Sequence, residues 1–210
     1  MSADWIPITA LEDRQRADYY PYEAPSFSYL MEGKQYQRQT SITAAELEGR
    51  VAVLSVGSNR APQQLLRKFQ GRERLYITRA VLKNCDIIHS ACFSYYGAVP
   101  CSAFPCEGTD SLLNAVWLTP AQLQIMHDTE AVGIAYDYCR WDEGAVIIKD
   151  APQAGAVYGY ATRLGSLCDE EGRPYGLSAL PAYQRQFTSR SQAEARRKLY
   201  QKLPPSLQAE

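Results

Sequence analysis

The chain has 210 residues, with 22 Lys and Arg against 23 Asp and Glu, a formal net charge of −1, and a 46% share of hydrophobic residues. That length and polarity suit one domain with a true core, and the charge offers no basic face for nucleic acid. The longest apolar runs are a few residues, as in Val51-Ala52-Val53-Leu54, so no segment reads as a membrane span; 13 Gly and 12 Pro exclude collagen-like or disordered composition.

Residues 1–50 read as a Tyr-rich N-terminal extension and residues 51–210 as the main domain. The opening Met1-Ser2-Ala3-Asp4-Trp5-Ile6-Pro7 lacks a basic start and an apolar core, so no secretory signal is expected. A cytoplasmic location follows as the expectation, with the six cysteines as free thiols. Tyr19, Tyr20, Tyr22, Tyr29 and Tyr36 lie in the extension, which shows no sustained period beyond a short helix at Thr43–Leu47. Its tyrosines can lie on apolar surface or the stretch can be mobile; the sequence leaves both open, together with its role.

From Val51 the signals sharpen. Val51–Val56 reads as a buried strand, Gly57-Ser58-Asn59 as a turn, and Pro62–Phe69 as a short helix, with Pro62 at its start and Gly71 just past its end. Leu75–Leu82, Cys85–His89, Cys92–Tyr96 and Leu112–Leu118 read as strands, with a loop over Pro100–Thr109. Thr119-Pro120-Ala121-Gln122 carries a capping box and opens a helix running to Glu130. Val132–Trp141, Ala145–Lys149 and Ala156–Thr162 follow as strands. Ser191–Leu203 is a helix with Ala193, Ala195, Leu199 and Leu203 among basic residues, so Arg196-Arg197-Lys198 is a solvated face. Many strands and few helices predict an α+β fold with a curled, barrel-like sheet.

Two constellations bear chemistry. Gly57 lets the backbone turn sharply, and the amides of Ser58 and Asn59 ahead of a helix form a concavity suited to an anion or oxyanion. The plainer reading is a turn that opens a helix. Leu123, Met126, His127 and Glu130 share a helix face that Leu123 and Met126 mark as inward. A partly desolvated Glu130 at that inward edge suits a general base, and the plainer reading is an exposed glutamate at a fraying end. His127 is read as a packed or hydrogen-bonded helix residue. A zinc site drawn from His89, Cys92, Cys101 and Cys106 can be written down. No Cys-x-x-Cys pair exists, however, and apolar-flanked cysteines serve more often as small core hydrophobes, so no metal is expected.

Taken in order, Val56-Gly57-Ser58-Asn59 after a strand and Leu123-Gln124-Ile125-Met126-His127-Asp128-Thr129-Glu130 on a helix resemble the gamma-glutamylcyclotransferase-like family. Family members typically carry Tyr-Gly-Ser-Asn and Leu-x-x-Leu-Asp-x-x-Glu. The strand Leu112–Leu118 before the helix and the Tyr136 and Tyr138 strand after it are also similar, so the resemblance spans about Val51 to Thr162. Val56 stands where the family motif has tyrosine, His127 where it has aspartate, and Ala131 where a glycine often follows the glutamate. The resemblance implies a mixed β-barrel with flanking helices and a cavity between the turn and the glutamate. It implies cyclisation of a gamma-glutamyl group to 5-oxoproline, a transferase or lyase chemistry that releases an amine or amino acid. Glu130 would be the catalytic acid–base, Val56, Gly57, Ser58 and Asn59 would bind substrate, and no cofactor or metal would be needed. The implied partner is a small molecule bearing a gamma-glutamyl group, not nucleic acid or membrane; oligomeric state is not indicated. The alternatives are a non-catalytic module binding a small ligand on the same barrel, and a thiol-dependent hydrolase or metal protein using Cys101, Cys106 and His89.

Overall fold

The apolar run that begins at Val51 forms a strand whose alternate side chains enter two separate cores, and the same division runs through the strands beside it. The computed structural model describes residues 4–10, 12, 15–204 and 206. Residues 1–3, part of the stretch read for a secretory signal, and 207–210, at the end of the 51–210 domain, lie outside the described residues.

The strands are β1 (Ile6–Pro7), β2 (Tyr29–Glu32), β3 (Gln35–Arg38), β4 (Val51–Ser55), β5 (Arg74–Leu82), β6 (Cys85–His89), β7 (Cys101–Pro105), β8 (Asp110–Leu118), β9 (Tyr136–Arg140), β10 (Val146–Ile148), β11 (Val157–Thr162), β12 (Gly176–Leu177), β13 (Ala182–Tyr183) and β14 (Ser189–Arg190). The helices among the described residues are α1 (Arg16–Tyr19), α2 (Pro62–Phe69), α3 (Pro120–Glu130) and α4 (Gln192–Lys202). None is long and apolar enough to cross a membrane.

β8 is central, paired antiparallel with β5 on one side and β4 on the other. Its Leu113, Ala115 and Trp117 join Ala52 and Leu54 of β4 and Tyr76 and Ala80 of β5 in one core. Its Val116 and Leu118 join Val53, Leu75 and Ile77 in the other, which Leu65 and Phe69 of α2 and Met126 of α3 cover. The period-two alternation thus buries both faces of one sheet.

The fold is mixed α+β, and the sheet does not close into the expected barrel. Its main path runs β1-β3-β2-β5-β8-β4-β11-β9, with β6 and β7 branching from β8. Closure would need a ladder between β11 and β7. The five residues of β7 pair with β6 instead, and its approach to β11 is marked by a side-chain bond, Thr162 N–H to Ser102 Oγ at 3.2 Å. Cys101 of β7 and Tyr160 of β11 both line the cavity described below, so the unclosed margin borders that space.

Within residues 1–50, β2 pairs with β5 from Tyr29↔Ile77 to Glu32↔Arg74, and Tyr29 and Met31 are fully buried. The expected helix at Thr43–Leu47 is instead a run of i→i+3 turns. Glu46 and Thr43 bond each other's backbone and side chains, and Gly49 at φ +69° ends the run. The expected strand at Cys92–Tyr96 is also a turn, because Ser94 Oγ captures the Ala98 N–H and Gly97 sits at φ +83°. The loop expected at Pro100–Thr109 contains β7, whose strand character its Cys and Pro residues obscured.

Candidate functional site

β4 ends at Ser55 and delivers Val56 and Gly57 to a single 3-10 turn, Ser58–Arg60, that leads straight into α2. The turn is tight for a steric reason. A Cβ at Gly57 would lie 2.7 Å from Tyr20 Oη and 3.0 Å from Cys101 Sγ, inside van der Waals contact. Tyr20 accepts from the Cys101 N–H at 3.1 Å, and Cys101 Sγ donates to the Val56 carbonyl at 3.2 Å, so this packing is hydrogen-bonded throughout. Gly57→Ala should therefore destabilise the fold by about 1–3 kcal/mol through overpacking. Urea denaturation checks this, and an unchanged midpoint would refute it.

On the second element, Thr119 caps α3 through the predicted capping box: Gln122 N–H donates to Thr119 Oγ1 at 3.3 Å and Thr119 N–H donates to Gln122 Oε1 at 3.0 Å. Met126 is buried, so the helix presents the expected inward face, and Glu130 is its last residue. Ala131 then turns left-handed at φ 49°, the conformation that glycine adopts without strain.

These two stretches meet. Asn59 Nδ2 donates to Glu130 Oε1 at 2.8 Å across one cavity of about 310 Å³. Val56, Gly57, Ser58, Asn59 and Glu130 all line it. A third residue, which sequence reasoning missed, completes the arrangement. Lys68, one turn beyond Gln64 on the cavity side of α2, donates to the same Oε1 and contacts Met126 Sδ at 3.5 Å. Its side chain is only 2% exposed, against 15% for Glu130. Burial away from water lowers the Lys68 pKa, and the Glu130 carboxylate partly offsets that. With Oε1 taken twice, Glu130 Oε2 makes no hydrogen bond to any described residue. A lysine late in a short helix reads as solvent-facing. The one sequence hint was its place beside Phe69 and three after Leu65, which puts it at the border of the buried face.

Tyrosines form much of the remaining wall. Tyr20, Tyr95, Tyr96, Tyr136 and Tyr160 line the cavity, the first from the N-terminal stretch. Tyr160 is 5% exposed, its pKa raised by burial and by Glu130, and its hydroxyl meets His127 Nδ1 at 3.0 Å. His127 is thus a hydrogen-bonded helix residue one step behind the wall.

The cysteines take other parts. All six are free thiols. Burial pushes the Cys101 thiol up to about 12, so it stays protonated at neutral pH and cannot serve as a ready nucleophile there. Cys106 Sγ bonds Thr109 Oγ1 at 3.2 Å. Among the described residues no group of three or more His, Cys, Asp or Glu comes together in metal-binding fashion. His89 is fully buried, with Nε2 donating to the Arg190 carbonyl at 3.0 Å and Nδ1 without a partner. Burial lowers its pKa from 6.5, so between 6.5 and that lowered value the unfolded chain binds a proton that the folded chain refuses. Stability should fall as pH drops through this window, and His89→Asn should flatten the slope. Denaturant titrations at stepped pH read both, and an equal slope in the variant would refute the assignment.

No protein-family model matches the chain, and neither does any curated protein. It is similar to the solution structure of an Arabidopsis thaliana protein, at 16% identity and a TM-score of 0.42 over 59% of this chain and 74% of that one. It is also similar to the crystal structure of an uncharacterized human protein, at 12% identity and a TM-score of 0.41 over 77% of this chain and 85% of that one. Likeness at this level leaves the site to rest on the chain's own residues.

Proposed function

We propose that the chain is a gamma-glutamylcyclotransferase-like enzyme that cyclises a gamma-glutamyl group to 5-oxoproline and releases an amine or amino acid. The observation that carries this reading is Glu130, which lines the cavity and is held through Oε1 by Asn59 and Lys68, with no described residue bonded to Oε2. Oε2 is the oxygen that would meet the substrate's α-ammonium and take its proton, freeing the nitrogen lone pair. The α-nitrogen then bonds to the carbonyl carbon of the γ-carboxamide, and the bond from that carbon to the amide nitrogen breaks. The proton on Glu130 passes to the leaving nitrogen, and the second proton shed by the ring nitrogen follows it, so the amine departs as an ammonium. The reaction balances without redox change. Gly57, Ser58 and Asn59 line the same cavity, and their backbone N–H groups would take the substrate carboxylate or the oxyanion. Attack within one molecule lets positioning supply much of the acceleration. Lys68 sets the charge balance: the pocket holds a paired acid and base and suits a substrate group that carries both signs itself.

The test is a panel of gamma-glutamyl amines, dipeptides and glutathione incubated with pure protein. Matched release of 5-oxoproline and free amine is the expected result. No lactam above the uncatalysed background from any member would overturn the proposal. A binding module is the second reading, favoured by the internal Lys68–Glu130 pair, which already satisfies the carboxylate. It predicts thermal stabilisation by the same compounds with no product.

A further inference from the structure

A second cavity, of about 800 Å³, lies behind the turn and shares Tyr20 with the first as a wall. It differs from the first in how its buried cation is paired. Asn59 faces Glu130, but the next residue, Arg60, lines the second cavity, where its Nε donates to Asn114 Oδ1 at 2.9 Å. Its two terminal nitrogens make no hydrogen bond to any described residue, and no described carboxylate pairs with it. Burial lowers the Arg60 pKa, so withdrawal from water costs this guanidinium energy that no counter-ion returns. Lys68 has its carboxylate; Arg60 does not. Two further cations line the space: Arg79, held by Asp150 at 2.8 and 2.9 Å, and exposed Lys149, against the one exposed acid Glu23.

We infer that this second cavity binds a small anionic molecule, with a carboxylate or phosphate group seated on the two terminal nitrogens of Arg60. With Nε already committed to Asn114, the guanidinium presents its end-on edge, which two oxygens of one oxyanion can engage in parallel. Arg79 and Lys149 make the local potential positive beyond that contact.

Thermal unfolding of the full chain tests this in sodium phosphate and in sodium succinate, each against sodium chloride of equal ionic strength. At saturating millimolar anion, at least one should raise Tm by about 2–4 °C over chloride. Arg60→Met should lose that rise, while Glu130→Gln keeps it, which separates this site from the proposed catalytic one. A response to phosphate alone identifies a phosphorylated ligand, and to succinate alone a carboxylate. No rise with either anion, or a rise that Arg60→Met retains, would overturn the inference. Should Arg60→Met lack a cooperative transition, phenylglyoxal labelling of the unmodified protein decides. The effective anion should slow labelling at Arg60 several-fold relative to chloride, and equal rates would overturn the site.

Discussion

Glu130→Gln should reduce 5-oxoproline release by about 10²–10⁴-fold while leaving the folded structure in place. The amide keeps an oxygen for Asn59 and Lys68 but cannot take a proton from an ammonium. Far-UV circular dichroism should match the parent chain, and lactam formation followed by mass spectrometry should not. A variant with parental turnover would remove Glu130 from the chemistry. The change also leaves the Lys68 ammonium, 2% exposed, without its counter-charge. Breaking a buried pair from one side costs about 3–5 kcal/mol, less whatever Lys68 regains by losing its proton. The direction with pH follows. Lys68 already has a lowered pKa in the folded chain, and loss of Glu130 removes the influence that raises it. Below the folded value the penalty is full; as pH climbs towards 10.5 the unfolded chain alone keeps the proton, and stability returns. The gap between variant and parent should therefore narrow from pH 7 to pH 9.5 in denaturant titrations.

Lys68→Met should give the second large effect, with a different profile. Methionine fills the buried channel beside Met126, so the apolar packing of α2 survives. Glu130 then keeps only Asn59 as an anchor, and its side chain is exposed enough to reach water. Turnover should fall by about 10–100-fold through lost positioning of the carboxylate, with kcat affected more than KM. Pairing Lys68→Met with Glu130→Gln should restore stability relative to Glu130→Gln alone by about 2 kcal/mol or more, because no unpaired charge stays buried. Strict additivity of the two changes would show that they do not interact.

The sequence made the two ends of this site legible and hid its middle. Gly57 and the Thr119 capping box are local signals: each depends on neighbours within a few residues, and each forms as the pattern implied. β4, β5, β6, β8 and α2 were legible for the same reason, since apolar alternation and Pro62 mark them directly. Lys68 and Tyr20 were not. Their meaning comes from partners 62 and 81 positions away, Glu130 and Cys101, and no local pattern encodes such a meeting. The barrel expectation failed on the same ground. Strand content was readable, but the missing ladder between β7 and β11 depends on which edge each strand reaches first.

The pairing of β2 with the first half of β5 carries a consequence for anyone who trims this chain. A version beginning at residue 51 would present Arg74, Leu75, Tyr76 and Ile77 with bare amides and carbonyls, and with two fully buried side chains, Leu75 and Ile77, suddenly wetted. Such an edge is an invitation to stack on its own copies. The shortened protein should sediment as aggregates under conditions that keep the full chain dispersed, and the Tyr20 wall of the cavity would leave with the discarded piece.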